Sequence, residues 1–107
     1  MKGVQMNVAP TQRMRATIYG LIDPRSGQVR YVGATVRPTW YRLHSHRTKP
    51  LASLKDWMRD LEQAGRVPTL IEFESCHRRY KSIREAYWIR QHLPTVLNIV
   101  KKLSFRV

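Results

Sequence analysis

Alternating apolar and polar positions predict two short strands near the start of the chain. Residues 16–22 and 28–32 are rich in β-branched and aromatic side chains. The stretch 23–27 between them contains Pro24 and Gly27, which are common turn residues. We therefore predict a β-hairpin.

Apolar residues at spacings of three and four then predict two helices. Pro38 suits the first turn of a helix that runs through His46. A second helix is predicted over residues 51–64, because its apolar positions recur on one helical face. Gly65 is placed to end that helix.

A third strand and a last helix complete the predicted domain. Residues 69–75 alternate in polarity, and a helix opens at Ser82 and continues through His92, before Pro94. The order β-β-α-α-β-α predicts an α+β fold, with a small three-stranded antiparallel sheet flanked by helices. The predicted boundaries are 1–14 for an N-terminal extension without regular structure, 15–100 for the domain, and 101–107 for a short basic tail.

Charge indicates a polyanionic partner. The chain has 107 residues, enough for one core, and carries 20 Lys and Arg against 7 Asp and Glu, a formal net charge of +13. Such an excess is costly in self-repulsion unless phosphates relieve it, so nucleic acid is the first candidate partner. A merely basic protein with no such partner is the alternative.

The sequence also favours a cytoplasmic location. Cys76 is the single cysteine and excludes an intramolecular disulfide, and no segment resembles a secretory signal. No apolar run approaches the roughly 18 residues that a membrane span needs. We therefore expect no membrane partner.

Two tyrosines meet in the predicted hairpin. A five-residue turn pairs Ile22 with Gln28 and places Tyr19 directly opposite Tyr31 on the same face. An ordinary aromatic cross-strand pair is one explanation. Gly33 favours a functional site, because a glycine at a strand end lets a backbone or a phosphate approach closely.

Arg42 and His46 lie four residues apart on the first predicted helix and therefore share one face. A guanidinium group fits the oxygens of a phosphate, and an imidazole can exchange a proton near neutral pH. The pair suits a phosphodiester, although a solvated basic helix face explains it equally well.

Glu85 is an acid in a basic stretch of the sequence. A carboxylate there would repel a phosphate unless a divalent cation lay between them. In the alternative, Ser82 and Glu85 form a capping box, in which the carboxylate only satisfies the backbone N–H of Ser82. The tryptophans Trp40, Trp57 and Trp88 could stack on bases, but their helical positions favour the core.

Five short segments carry a family resemblance. In chain order they are Thr17-Ile18-Tyr19, Tyr31-Val32-Gly33, Arg42 with His46, Glu85 with Trp88-Ile89, and Leu97-Asn98-Ile99. This ordered set resembles the motifs of the GIY-YIG nuclease superfamily, whose members include phage homing endonucleases, DNA-repair incision subunits and some restriction enzymes.

The resemblance implies a metal-dependent endonuclease that hydrolyses phosphodiester bonds in DNA. Glu85 would hold one Mg²⁺ or Mn²⁺ ion, and Arg42 would neutralise charge that develops in the transition state. Tyr19 and Tyr31 would flank the attacking water, with His46 as a relay or alternative base.

The resemblance assigns supporting roles to Gly33 and Asn98. We expect nucleic-acid contacts from five basic side chains, namely Arg37, Arg47, Lys81, Arg84 and Arg90. DNA is favoured over RNA, and recognition of a structure or a short context is favoured over a long site. A monomer, a transient homodimer and a targeting partner protein all stay open. A non-catalytic basic nucleic-acid-binding protein on the same scaffold is the alternative function.

Overall fold

The computed structural model describes residues 14–98, so Ile99, the basic tail and all but the last residue of the predicted extension lie outside the described residues. The strands are β1 (Arg15–Ile22), β2 (Val29–Thr35) and β3 (Thr69–His77), and the helices are α1 (Thr39–Thr48), α2 (Lys55–Gln63) and α3 (Lys81–Gln91). The sheet is antiparallel with strand order β2-β1-β3. This confirms the predicted α+β fold and its order β-β-α-α-β-α.

The hairpin differs from the prediction in its loop and in its pairing. The loop has six residues, 23–28, because Ile22 pairs with Val29 rather than with Gln28. Arg30 is then left unpaired in a β-bulge, since the next pair joins Leu21 to Tyr31. Each of these two features moves the register by one residue.

The predicted pairing of the two tyrosines is therefore wrong. Tyr19 lies opposite Gly33, and Tyr31 lies opposite Leu21. Because the total shift is two residues and side chains alternate with a period of two, Tyr31 stays on the same face of the sheet as Tyr19. The two rings are diagonal neighbours, with centroids 6.2 Å apart.

The loop is fastened to α2 by a buried carboxylate. Asp23 accepts hydrogen bonds from Trp57 Nε1 at 2.9 Å and from the Arg25 guanidinium at 2.8 and 3.0 Å. The Arg25 guanidinium, with help from Trp57, holds the pKa of the Asp23 carboxyl well below its usual range. A loop residue thus joins the hairpin to the helix that covers it.

Both faces of the central strand β1 are covered. On one face, Tyr19 and Leu21 belong to a core cluster that includes residues of α2, such as Leu61. On the other face, Ile18 belongs to a second cluster that includes Ile89 of α3. Full burial of each aliphatic side chain contributes about 1.5–3 kcal/mol, so the alternation along β1 accounts for two helical layers around one sheet.

The ends of the first two helices follow the turn signals with small differences. Pro38 precedes α1 as its N-cap instead of lying in the first turn. The predicted helix 51–64 is divided into a 3-10 turn, Ala52–Leu54, followed by α2. Gly65 has a φ of 70° and ends α2, which confirms its predicted role. None of the helices within residues 14–98 is long and apolar enough to cross a membrane.

Candidate active site

The hydroxyl of Tyr19 is the centre of a buried polar cluster, which we call the tyrosine cluster and define as Tyr19, Tyr31, Arg42 and His46. Tyr19 and His46 have 0% and 2% of their surface exposed, and the Tyr19 hydroxyl lies 2.7 Å from His46 Nε2. The rings of Tyr31 and His46 meet edge to face, with centroids 5.0 Å apart. Strands β1 and β2 and helix α1 thus place four chemically active side chains together.

Gly33 makes this packing possible. A Cβ atom at Gly33 would lie 2.6 Å from Cζ and the hydroxyl oxygen of Tyr19, and 2.8 Å from Cε2 of Tyr31. The space beside Gly33 is therefore filled by the tyrosine rings and not by a phosphate. Gly33 also lies inside β2 and not at its end, so the structural reason for the glycine differs from the predicted one.

The Tyr19 hydroxyl has two polar neighbours besides the second phenol. Arg42 interacts with it and can only donate, so the Tyr19 oxygen accepts from the guanidinium. The same hydroxyl lies within hydrogen-bond distance of His46 Nε2, and the tautomer of the imidazole decides which of the two donates. With the imidazole proton on Nδ1, Nε2 accepts from the Tyr19 O–H.

Burial sets the protonation states of the cluster. Desolvation raises the pKa of both Tyr19 and Tyr31, and the positive charge of Arg42 only partly opposes this. Desolvation, together with the charge of Arg42, lowers the pKa of His46 to about 4. At neutral pH both phenols are protonated and the imidazole is neutral, so His46 is the proton acceptor of the cluster.

The carboxylate of Glu85, on helix α3, acts electrostatically on the tyrosine cluster. The negative charge of Glu85 raises the pKa of both Tyr19 and Tyr31, which places the carboxylate within electrostatic range of both phenols. The capping-box alternative does not fit the helix, because α3 begins at Lys81 with Tyr80 as its N-cap and Ser82 is already its second residue.

The available donors fit a hard divalent cation. Mg²⁺ prefers oxygen ligands, is commonly held by one or two carboxylates, and keeps several waters. Within residues 14–98 no group of three or more His, Cys, Asp or Glu side chains could hold a metal. A cation at this site would therefore take Glu85 as its carboxylate and complete its shell with water and substrate oxygens.

A second acid, Glu74 on β3, is structural, and the sequence analysis did not single it out. It receives two hydrogen bonds from the Arg84 guanidinium, both at 2.8 Å, and one from Trp88 Nε1 at 2.8 Å. The Arg84 bonds, with that of Trp88, lower the pKa of the Glu74 carboxyl. The charge of Arg84 is thus paired with Glu74 inside the protein, so we do not propose Arg84 as a nucleic-acid contact.

The other predicted basic contacts are spread over the molecule. The Arg37 guanidinium lies over the Tyr41 ring, 4.9 Å from its centroid. Arg47 and Arg90 are exposed near the ends of α1 and α3, and Lys81 is half-buried at the start of α3.

Asn98 contacts backbone. Its side-chain oxygen accepts from the Val32 N–H at 3.0 Å, and its amide nitrogen donates to the Val32 carbonyl at 2.8 Å. Asn98 therefore binds the backbone of β2 at Val32, the residue between Tyr31 and Gly33, on the strand edge that faces away from β1. The residue supports the position of the cluster through the strand.

The three tryptophans do not share one environment. Trp57 is buried, and Trp88 stacks on Phe73 with centroids 4.4 Å apart, but Trp40 is 70% exposed. The expectation of a core position is therefore wrong for Trp40. It lies in the first turn of α1, where its ring meets the Tyr41 ring edge to face, with centroids 6.0 Å apart.

Comparisons of this chain with protein-family models, with curated proteins and with solved structures gave no match. The functional conclusion therefore depends on the side chains and their arrangement.

Proposed function

We propose that this chain is a GIY-YIG-type, metal-dependent endonuclease that hydrolyses phosphodiester bonds in DNA. One observation carries the proposal: two phenols, a guanidinium and a neutral imidazole meet at the Tyr19 hydroxyl, and the Glu85 carboxylate lies within electrostatic range of both phenols. Structural ion-pair networks also collect charges, but they do not need two buried phenols and an uncharged histidine beside an arginine.

In this mechanism Glu85 would hold Mg²⁺ or Mn²⁺, which when bound neutralises phosphate charge and makes a coordinated water more acidic. Arg42 carries a permanent charge and would stabilise the negative charge that grows on the phosphate oxygens in the transition state. Its contact with the Tyr19 hydroxyl keeps the guanidinium oriented before substrate binds.

Tyr19 and His46 form a proton relay. As the attacking water gives a proton to the Tyr19 oxygen, the Tyr19 O–H proton moves to His46 Nε2, which becomes an imidazolium. A phenol is almost fully protonated at neutral pH, and burial of Tyr19 raises its pKa and lowers the phenolate fraction further. The relay therefore needs the imidazole to take the proton. A bound phosphate raises the proton affinity of His46 through its negative charge.

Substitution of the carboxylate tests the proposal. We expect Glu85→Gln to abolish cleavage in Mg²⁺, a loss of at least about 100-fold, while DNA binding and Tm stay close to wild type. The measurement is fragment formation on supercoiled, branched and single-stranded DNA and on RNA, with Mg²⁺ or with chelator. Asp60→Asn is the charge-matched control, because Asp60 is an exposed acid on α2. Unchanged cleavage by Glu85→Gln would refute the proposed role.

The net charge of +13 also favours a second function, a non-catalytic nucleic-acid-binding protein on the same scaffold. Binding without fragments on every substrate of the panel would support it. Both candidate functions involve nucleic acid. We therefore propose a cytoplasmic location for the protein.

A further inference from the structure

A basic groove lies between the end of α1 and α2, away from the tyrosine cluster. It encloses a cavity of about 630 Å³, and its basic side chains are His44, Arg47, Lys55, Arg59 and Arg66. Met58 and Leu61, both buried, form part of its apolar floor. One acid, Glu62, lines it. Since Arg59 is paired with Asp56 at 2.7 Å, the net positive charge comes from Arg47, Lys55 and Arg66.

The groove continues onto α1 as a stripe. Trp40, His44 and Arg47 are spaced by four and three residues, so they share one face of the helix. His44 and Arg47 line the groove, and Trp40 stands one turn before them with 70% of its surface exposed. Arg42 and His46 leave the same helix toward the tyrosine cluster. Helix α1 thus lies between the basic groove and the tyrosine cluster.

We infer that the basic groove and Trp40 bind a single-stranded segment of the nucleic-acid substrate. The cationic rim suits backbone phosphates, and an exposed indole offers a flat surface on which an unpaired base can stack. Bases in a duplex are already stacked on each other and gain little from such a surface. The inference deepens the proposed function by naming the substrate class, namely DNA or RNA with an unpaired stretch.

Binding in the presence of chelator tests this inference without any need for cleavage. The probes are fluorescein-labelled oligothymidylate, oligouridylate and a hairpin duplex of equal length, titrated with the full-length chain. We expect Trp40→Ala to weaken binding of the single strands by roughly 5- to 100-fold, the range measured for loss of one stacked base. Trp40→Phe keeps an aromatic face and should restore most of the affinity. Duplex affinity should change less than about twofold in both variants.

The groove is tested by charge. We expect Arg66→Ala to lower the dependence of log affinity on log salt concentration by about 0.7 for single strands, the loss of one phosphate contact. Arg79→Ala is the matched control, because Arg79 is exposed and outside the groove. Its salt dependence should equal that of the wild type.

Two results would overturn the inference. Equal losses for single strands and duplex in Trp40→Ala would show a general effect and no base stacking, and equal salt dependence in Arg66→Ala and Arg79→Ala would remove the groove from the binding surface. Thermal unfolding of each variant identifies any misfolded protein. Since these readouts need no turnover, the inference can fail while cleavage is intact, and can hold when cleavage is absent.

Discussion

At the scale of single residues, burial decides which group can take a proton. His46 is enclosed by two tyrosine rings and lies close to Arg42, and both desolvation and that positive charge act against its protonated form. Tyr19 meets the same desolvation, which keeps the phenol protonated. The result is a buried protonated phenol hydrogen-bonded to a buried neutral imidazole, with 2.7 Å between Tyr19 Oη and His46 Nε2.

This arrangement predicts how stability depends on pH. The pKa of His46 is about 4 in the folded chain and about 6.5 in the unfolded chain. Between these values the unfolded chain binds a proton that the folded chain does not. The free energy of unfolding therefore falls as pH falls below about 6.5, by a total on the order of 3 kcal/mol near pH 4, and is constant with respect to this group above about 7.

Denaturant unfolding between about pH 7 and about pH 5 measures the effect, since most carboxyl groups titrate lower. The control is His46→Gln, which cannot take the proton and should show a flatter profile. An equally steep loss of stability in His46→Gln would assign the pH dependence to other groups.

The sequence predicted the chemical residues of the cluster but not their contacts. The predicted hairpin register, which puts Tyr19 and Tyr31 on one face of the sheet, is wrong by two residues. Because side chains alternate between faces with a period of two, the two tyrosines still share one face. The hairpin loop also makes a tertiary hydrogen bond, from Trp57 to Asp23, and such long-range contacts are not visible in a local sequence pattern. Gly33 was singled out correctly as a close approach, but the approaching group is Tyr19 itself.

At the scale of elements, the position of α3 matters most, because it carries Glu85. Glu74 on β3 accepts from Arg84 and Trp88, which lie two residues either side of the centre of α3 and so fix both the rotation and the height of the helix. The side chains of Phe73 and Trp88 stack beneath it at an interplanar angle of 5°. Strand β3 therefore helps to position the helix that carries Glu85, the carboxylate that we propose to be catalytic.

Removal of this support should affect both stability and turnover. We expect Glu74→Ala to lower Tm by roughly 5 °C, because the Trp88 N–H and the Arg84 guanidinium lose their acceptor. Cleavage should fall in kcat more than in KM, since Glu85 is displaced while the basic surfaces are unchanged. Asp60→Ala is the control, because Asp60 is an exposed acid on α2. A Tm and kcat equal to those of Asp60→Ala would contradict this role of Glu74.

The periodicity of apolar residues predicted the element order β-β-α-α-β-α correctly. It did not predict where each element begins and ends. The start of α3 moved by one residue from Ser82 to Lys81, a small error in structure that removes the capping-box interpretation of Glu85 altogether. Local capping signals alone could not resolve this, because the 3-10 turn Arg78–Tyr80 runs directly into α3.

At the scale of the whole molecule, residues 14–98 contain one tyrosine cluster. A single cluster that acts on one phosphate at a time should nick supercoiled plasmid, so the open-circular form should accumulate before the linear form when plasmid is in excess. Time courses on agarose gels measure this, with the chelator reaction as the control. Linear product without an open-circular intermediate would instead indicate two copies that act together.

Residues 95–98 cover part of the outer edge of β2, which is an edge strand of the sheet. Thr95, Leu97 and Asn98 bond to the outer side of β2 at Val29, Arg30 and Val32. These are groups that an extra strand from another molecule would use, so this part of the β2 edge is closed to intermolecular pairing. Asn98, conspicuous as a motif residue, thus also shields part of this sheet edge from edge-to-edge association.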